Sequence, residues 1–217
     1  MVFIYINVFM YLATLIFSWM GFDLNILLGL VPYLVIKKYY IWQLFTYMFL
    51  HGSIFHLLFN MLMLWMFGSE LCSLWGKHFF IKYYLICGLG GGLCVTALSL
   101  LFTEQLIVPT VGASGAIFGL FLAYGIIFKD KILYVFGIIP IKARPLVIIM
   151  GVIELLSLLS ERTSSISHLA HLGGLFSGLA YLKMKTFENK LKIKRLNNMD
   201  NIIFTDFNKK KDKDLWN

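Results

Sequence analysis

The stretch "VGASGAIFGL", Val111 to Leu120, sets a serine between an alanine and a glycine, in a run with no charged residue from Gln105 to Phe128. Such a hydroxyl can cap a helix, fill a tight contact between helices, or act as a nucleophile. Which of these it does depends on what the rest of the chain brings to it. The whole sequence is 59% hydrophobic and 14% charged, with a mean hydropathy of +0.81. A water-soluble domain carries about 25% charged residues, so this chain lacks the polar residues to cover a water-facing surface. It reads as a membrane protein with most of its length inside the bilayer.

A spanning helix takes about 20 mostly apolar residues. Six segments qualify, at about 2–20, 54–70, 79–101, 113–128, 145–160 and 167–183. The first lacks a basic leader and is too long for a signal-peptide core, so it reads as a membrane helix that also targets the chain. Residues 21–52, between the first two spans, are apolar and aromatic but broken by Asp23, Pro32, Lys37 and Lys38. That composition predicts a structured insertion at the membrane interface. The aromatic residues of 39–47 read as an interface belt.

Six spans put both termini on one side. The tail from Lys183 carries ten Lys/Arg against five acids, leaving +5, and basic segments stay cytoplasmic. Lys129, Lys131, Lys142 and Arg144, after the fourth span, and Lys77, after the second, agree. The outer loops hold only Lys37, Lys38 and Arg162. Both termini are therefore placed inside, and the tail's basic charge reads as a topology determinant rather than a nucleic-acid site. In this orientation the second, fourth and sixth spans begin at the outer face, and residues near their starts share one depth.

Polar residues gather at that depth. The second span opens with "HGSIFHLLFNM", which supplies His51, His56 and Asn60, the last two on one helical face. The fourth opens at Ser114. The sixth opens with "SHLAHLGGLFSG", which supplies His168 and His171. The two helices that carry Ser114 and His171 each hold a G-x-x-x-G pair, Gly115/Gly119 and Gly174/Gly178. Small residues at that spacing allow membrane helices to approach closely. If these faces meet, the imidazole can take the serine's proton, which a serine nucleophile needs. The unpaired N–H groups at a helix start, with His56 and Asn60, can serve an oxyanion. No carboxylate lies near His171 on its own helix; Glu154 is mid-span in the fifth helix and Glu70 lies at the inner end of the second. The reading is therefore a Ser–His dyad without an acid. The soluble-hydrolase elbow G-x-S-x-G is absent, since position 116 is alanine.

Other readings stand beside this one. Ser114 can be a cap, and His56 and Asn60 can cross-link helices. His168 and His171 can share a metal with His56 or His51 as third ligand. His51 can simply begin its helix, and His168 can shape a cavity rim. His78 reads as interfacial on the inner side. The glycine run Gly88 to Gly92 reads as a close-packing surface. Cys72, Cys87 and Cys94 show no metal-binding spacing and read as free thiols.

The pieces "FLHGSIFHLLFNM" (49–61), "GASGAIFG" (112–119) and "AHLGGLFSG" (170–178) resemble the rhomboid family of intramembrane serine proteases. "YYIWQLFTYMFLHG" and "GSELCSLWGKHFF" resemble the stretches flanking that family's second helix, and the likeness covers roughly residues 5–183. The resemblance implies an all-α, six-transmembrane-helix bundle with a membrane-embedded loop between the first two helices and a cavity open to the outer face. It implies Ser114 as nucleophile, His171 as base, and His56, Asn60 and the Ser114 amide as the oxyanion hole. It places Phe118 against the base, and Gly112, Gly115, Gly119, Gly174 and Gly178 in the packing beside the dyad. It implies membrane-protein substrates cut within or beside their transmembrane segments, with no cofactor and no metal. "WQ" at 42–43 departs from the more usual "WR", a change in the insertion rather than the catalytic residues. The short N-terminus implies no cytoplasmic domain ahead of the bundle.

The expected organisation is a membrane domain over 1–183 and a basic cytoplasmic tail over 184–217, largely disordered. The Lys-, Ile- and Asn-rich composition suggests an AT-rich bacterium, in which the compartment is the plasma membrane; an organelle membrane is the alternative. Two rival functions remain at this stage, a non-catalytic rhomboid-like protein that binds membrane clients and a histidine-based metal carrier. The sequence does not fix an oligomeric state or a particular substrate.

Overall fold

The computed structural model describes residues 2–101, 106–135, 137–160 and 165–214; Arg162 lies outside them. Residues 1–179 form one compact unit and residues 180–217 a second. Helices overlap the segments read as candidate spans. They are α1 (Val2–Trp19), α5 (Ile54–Trp75), α6 (Lys77–Leu98), α7 (Ser114–Ile127), α8 (Ala143–Ser160) and α9 (Ser165–Asp214). Among the described residues, α1, α5 and α6 are long and apolar enough to cross a membrane, and α7 is a shorter apolar helix.

The first helix turns two polar side chains inward and bonds them to its own backbone. In α1, Tyr5, Phe9 and Ile16 face outward, while Asn7 and Thr14 are buried. Asn7 donates to the Phe3 carbonyl at 2.7 Å and Thr14 to the Met10 carbonyl at 2.8 Å, the back-bonding that lets a polar side chain sit on an apolar helix. The α5–α6 junction is a single residue, Gly76, whose φ of 77° belongs to the left-handed region that favours glycine.

The insertion between α1 and α5 is ordered by its backbone. It contains the short helices α2 (Leu24–Leu28), α3 (Pro32–Lys38) and α4 (Gln43–Thr46), then a 3₁₀ turn at Tyr47–Phe49. Gln43 is fully buried at its centre. Its carbonyl accepts from Val31 N at 3.0 Å, and its amide donates to the carbonyls of Ile26 at 2.8 Å and Leu27 at 3.3 Å. Here the "WQ" variation is a neutral amide tying together three backbone groups. Leu30 pairs in both directions with Thr110, at 2.9 and 2.8 Å. The insertion is thereby fastened to the segment that leads into α7.

Close backbone contacts hold the helices together. A Cβ at Gly91 would lie 2.8 Å from the Ala170 carbonyl, and one at Gly92 would lie 2.8 Å from that of Leu44; the glycine run is a packing surface, as the sequence reads it. A Cβ at Gly174 would collide with the Gly115 carbonyl, and one at Gly119 would lie 3.2 Å from the Gly174 carbonyl. The two G-x-x-x-G faces therefore meet. Buried tyrosines brace this core: Tyr47 donates to the Gly88 carbonyl at 2.8 Å and Tyr83 to that of Gly119 at 2.7 Å. Cys72, Cys87 and Cys94 are free thiols.

One feature was not anticipated in the sequence reading. The basic loop after α7 folds into an antiparallel hairpin, β1 (Ile132–Val135) and β2 (Ile139–Lys142), with Ile132 opposite Lys142. At its base Lys131 reaches both oxygens of Glu70, at 2.6 and 2.7 Å, and Tyr124 donates to the same carboxylate at 2.9 Å. Hydrogen bonding to Glu70 raises the Lys131 pKa above its ordinary value. The helix α9 is continuous from Ser165 through Asp214. No glycine or proline follows Gly178 to break the helix.

Replacing Gln43 with leucine removes three backbone partners and leaves buried amide groups unpaired, at about 1–3 kcal/mol for each unsatisfied group. Thermal unfolding of purified Gln43→Leu protein in detergent should show a clearly lower midpoint. Gly174→Ala should destabilise by about 1–3 kcal/mol through overpacking against Gly115, also read by thermal unfolding. An unchanged midpoint in either would contradict the packing described.

Candidate active site

Ser114 begins α7 but does not cap it. Ala113 occupies the cap position and makes no side-chain cap bond. The serine hydroxyl instead lies 2.7 Å from Nε2 of His171. The meeting of α7 with α9 brings these two side chains together. The His171 ring stacks on Phe118, one turn beyond the serine, with centroids 4.3 Å apart and planes 11° from parallel. That stack holds the imidazole edge toward the hydroxyl.

Before the helix, Gly112 has a φ of 128°, a conformation that side chains rarely adopt. Its bareness also admits His56. A Cβ there would lie 2.7 Å from Cε1 of His56, 2.8 Å from its Nε2 and 3.8 Å from the Ser114 hydroxyl oxygen. The His56 edge and the Ser114 hydroxyl thus flank one spot. It opens into a cavity of about 300 Å³ lined by Tyr47, His56, Asn60, Ser114, Phe118 and His171, among others. Asn60 is buried, and its amide donates to the His56 carbonyl at 3.0 Å. One of its two amide hydrogens is engaged there. The Ser114 N–H lies in the first turn of α7, where helical N–H groups lack partners within the helix.

His51 is only 2% exposed, and neither ring nitrogen has a hydrogen-bond partner among the described residues. It packs edge-on against His56, with centroids 5.0 Å apart. Ser53, not His51, begins α5: its hydroxyl accepts from the His56 N–H at 3.2 Å.

The sequence reading set no carboxylate beside His171, and the structure brings one within reach. Glu154 of α8 places its Oε2 2.9 Å from Nδ1 of His171 and 2.6 Å from Nδ1 of His168. The first contact is within ion-pair reach but is not aligned as a hydrogen bond; the second is aligned. Sequence reasoning located Glu154 and missed its neighbours, because helical spacing relates residues on one helix and not on two. A signal was available. A carboxylate at mid-span is costly unless paired, and His168 and His171, three apart, present two donors on one face.

These three side chains bring potential metal-ligand atoms within 4.8 Å of one another. His51 and His56 are not among them, so the metal reading changes its third ligand to Glu154. Ligands on one tetrahedral zinc, bound at about 2.0–2.1 Å, lie roughly 3.3 Å apart. The 2.6 Å contact between Glu154 and His168 is shorter and fits a shared proton.

Comparison with known proteins bears on this arrangement. Residues 38–186 match the family profile described as the Rhomboid domain. RHOMBOID-like protein 1 of Arabidopsis thaliana is 36% identical over 145 residues, which are 67% of this chain and 34% of that protein. Rhomboid protein 1, mitochondrial, of Saccharomyces cerevisiae is 28% identical over 156 residues, 70% of this chain and 45% of that protein. The chain therefore spans less than half the length of either. The Bacillus subtilis protein named "Putative rhomboid protease YdcA" is 32% identical over 153 residues, 69% of this chain and 70% of its own length. The matched profile takes in Ser114, His171 and the glycines that join their helices, and the apolar helices are those of an integral membrane protein: the chain belongs to the rhomboid family.

Proposed function

We propose that this chain is an intramembrane serine endopeptidase that cuts transmembrane or juxtamembrane segments of other membrane proteins. The observation that carries the reading is the 2.7 Å contact between the Ser114 hydroxyl and His171 Nε2, at a cavity also lined by His56 and Asn60. A serine is a weak nucleophile until a neighbouring base accepts its proton, and this geometry supplies that base.

In the proposed reaction, Ser114 Oγ attacks the peptide carbonyl while His171 Nε2 takes the hydroxyl proton. The carbonyl π pair moves onto oxygen. His56, Asn60 and the Ser114 N–H donate to that oxyanion, and each such donor contributes on the order of 10²–10³-fold to rate. The C–N bond then breaks, and His171 returns its proton to the leaving amine. Water, deprotonated by His171, hydrolyses the acyl-enzyme and frees Ser114. No step calls for a metal or a nucleotide.

The same proposal extends to placement. The six segments that form α1, α5, α6, α7, α8 and the start of α9 span the membrane, with residues 21–52 embedded beside them and both termini cytoplasmic. The cavity then faces outward, as the distribution of basic residues supports. The preferred substrates are helices that unwind easily near the outer interface and carry small residues at the cut bond. The setting is a bacterial plasma membrane.

The test is co-expression with a tagged single-span reporter helix. Wild type should release the fragment, Ser114→Ala and His171→Ala should each lose about 10³-fold or more of that activity, and His168→Ala should still cleave. A fluorophosphonate should label wild type at Ser114 and leave Ser114→Ala unlabelled. Binding of membrane clients with neither cleavage nor labelling would replace this reading with the non-catalytic one.

A further inference from the structure

The acid that the sequence reading leaves out lies beside the base. Glu154 projects from α8 to the same two turns of α9 that carry His168 and His171, and one oxygen, Oε2, is shared between the two Nδ1 atoms. All three side chains are largely buried, with exposures of 13% for Glu154, 17% for His168 and 16% for His171. Water therefore has little access to screen the carboxylate. The remaining neighbours of His171 are accounted for. Nε2 faces Ser114, one ring face is covered by Phe118, and His56 stands across the cavity. Glu154 is the acidic group that ion-pairs with His171 among the described residues.

We infer that Glu154 is a positioning residue for the Ser114–His171 dyad of the proposed hydrolysis, its carboxylate anchored by His168 and within reach of His171. The inference rests on the reading of Ser114 and His171 as nucleophile and base. If Nε2 is to accept the serine proton, the ring's own proton must sit on Nδ1. Which nitrogen of a neutral imidazole carries the proton is set by what each nitrogen contacts, and a carboxylate beside Nδ1 favours the proton there. As Ser114 attacks, its O–H bond breaks and an N–H bond forms at Nε2. The ring becomes an imidazolium with its Nδ1–H next to Oε2, and the proton on Nδ1 stays there. The carboxylate offsets the new positive charge where burial would otherwise oppose it.

In the resting arrangement the aligned hydrogen bond of Oε2 runs to His168, and His171 lies within reach but off line. Catalytic hydrogen bonds are often loose before substrate binds and tighten in the reacting complex. His168 thus gives the carboxylate a second anchor on the same helix, three residues earlier. This accounts for a histidine that takes no direct part in the proposed reaction.

The experiment uses the full chain, purified in detergent, with the reporter helix as substrate. It measures kcat, KM, fluorophosphonate labelling rate and thermal midpoint for wild type, Ser114→Ala, Glu154→Gln, Glu154→Asp and His168→Ala. Glutamine keeps the shape and a hydrogen-bond acceptor but removes the charge. The expected result for Glu154→Gln is a loss of roughly 10²-fold in kcat and in labelling rate, with KM and the midpoint little changed; removing the acid of a Ser–His–Asp triad costs up to about 10⁴-fold where it is better aligned. Glu154→Asp should recover part of the loss. His168→Ala, which removes the carboxylate's second anchor, should lower kcat by a smaller factor than Glu154→Gln, with KM and the midpoint little changed.

Wild-type kcat in Glu154→Gln would overturn the inference while leaving the proposed function intact. So would equal losses in Glu154→Gln and His168→Ala with lowered midpoints, which would make the contact a structural tie between α8 and α9. Loss of wild-type activity on chelation, restored by zinc alone, would make the three groups metal ligands and overturn it as well. Wild type no more active than Ser114→Ala would remove the proposed function, and this inference with it.

Discussion

The carbonyl of Gly115 and the backbone at Gly174 leave no room between them for a methyl group, and the geometry of the site follows from that contact. Ser114 precedes one of these glycines and His171 stands three residues before the other. Fixing the two backbones fixes the hydroxyl to the imidazole. Apolar burial cannot supply this restraint in a membrane, because lipid is as apolar as the helices themselves. Close van der Waals approach can. The tyrosine bonds from Tyr47 to Gly88 and from Tyr83 to Gly119 brace the same layer with groups that hydrocarbon cannot satisfy.

Much of this was legible because a bilayer is a demanding solvent. It requires long apolar helices, so the six segments stood out. It penalises polar groups, so His56, Asn60, Ser114, His168 and His171 stood out against them. The contact between helices was legible from two glycine pairs in step with two reactive residues. The stacking partner Phe118 came through family likeness rather than through spacing.

What stayed hidden involved relations between elements whose relative rotation no local pattern encodes. Glu154 was visible as a mid-span acid, but the face it presents depends on how α8 leaves the hairpin and packs on α7. The hairpin itself, with strands of four residues each, is too short to show a clear alternation among basic loop residues. His51 drew attention as a polar residue near a helix start, and Ser53, two residues on, was the cap. Gln43 looked like a minor variation, and only the folded insertion reveals it as the group that three backbone positions share.

The brevity of α7 has a consequence for the lipid around the protein. Its 14 residues reach about 21 Å at ~1.5 Å per residue, whereas the 22 residues of α5 and of α6 reach about 33 Å by the same rise. The hydrocarbon layer is about 30 Å thick. A lone helix so short would draw the surrounding bilayer thinner. The residues from Gly115 to Phe121 are all buried by neighbouring parts of the chain, so lipid does not touch this face and cannot relax the mismatch. On the proposed membrane placement, the shortfall of α7 is met by the chain that surrounds it rather than by lipid.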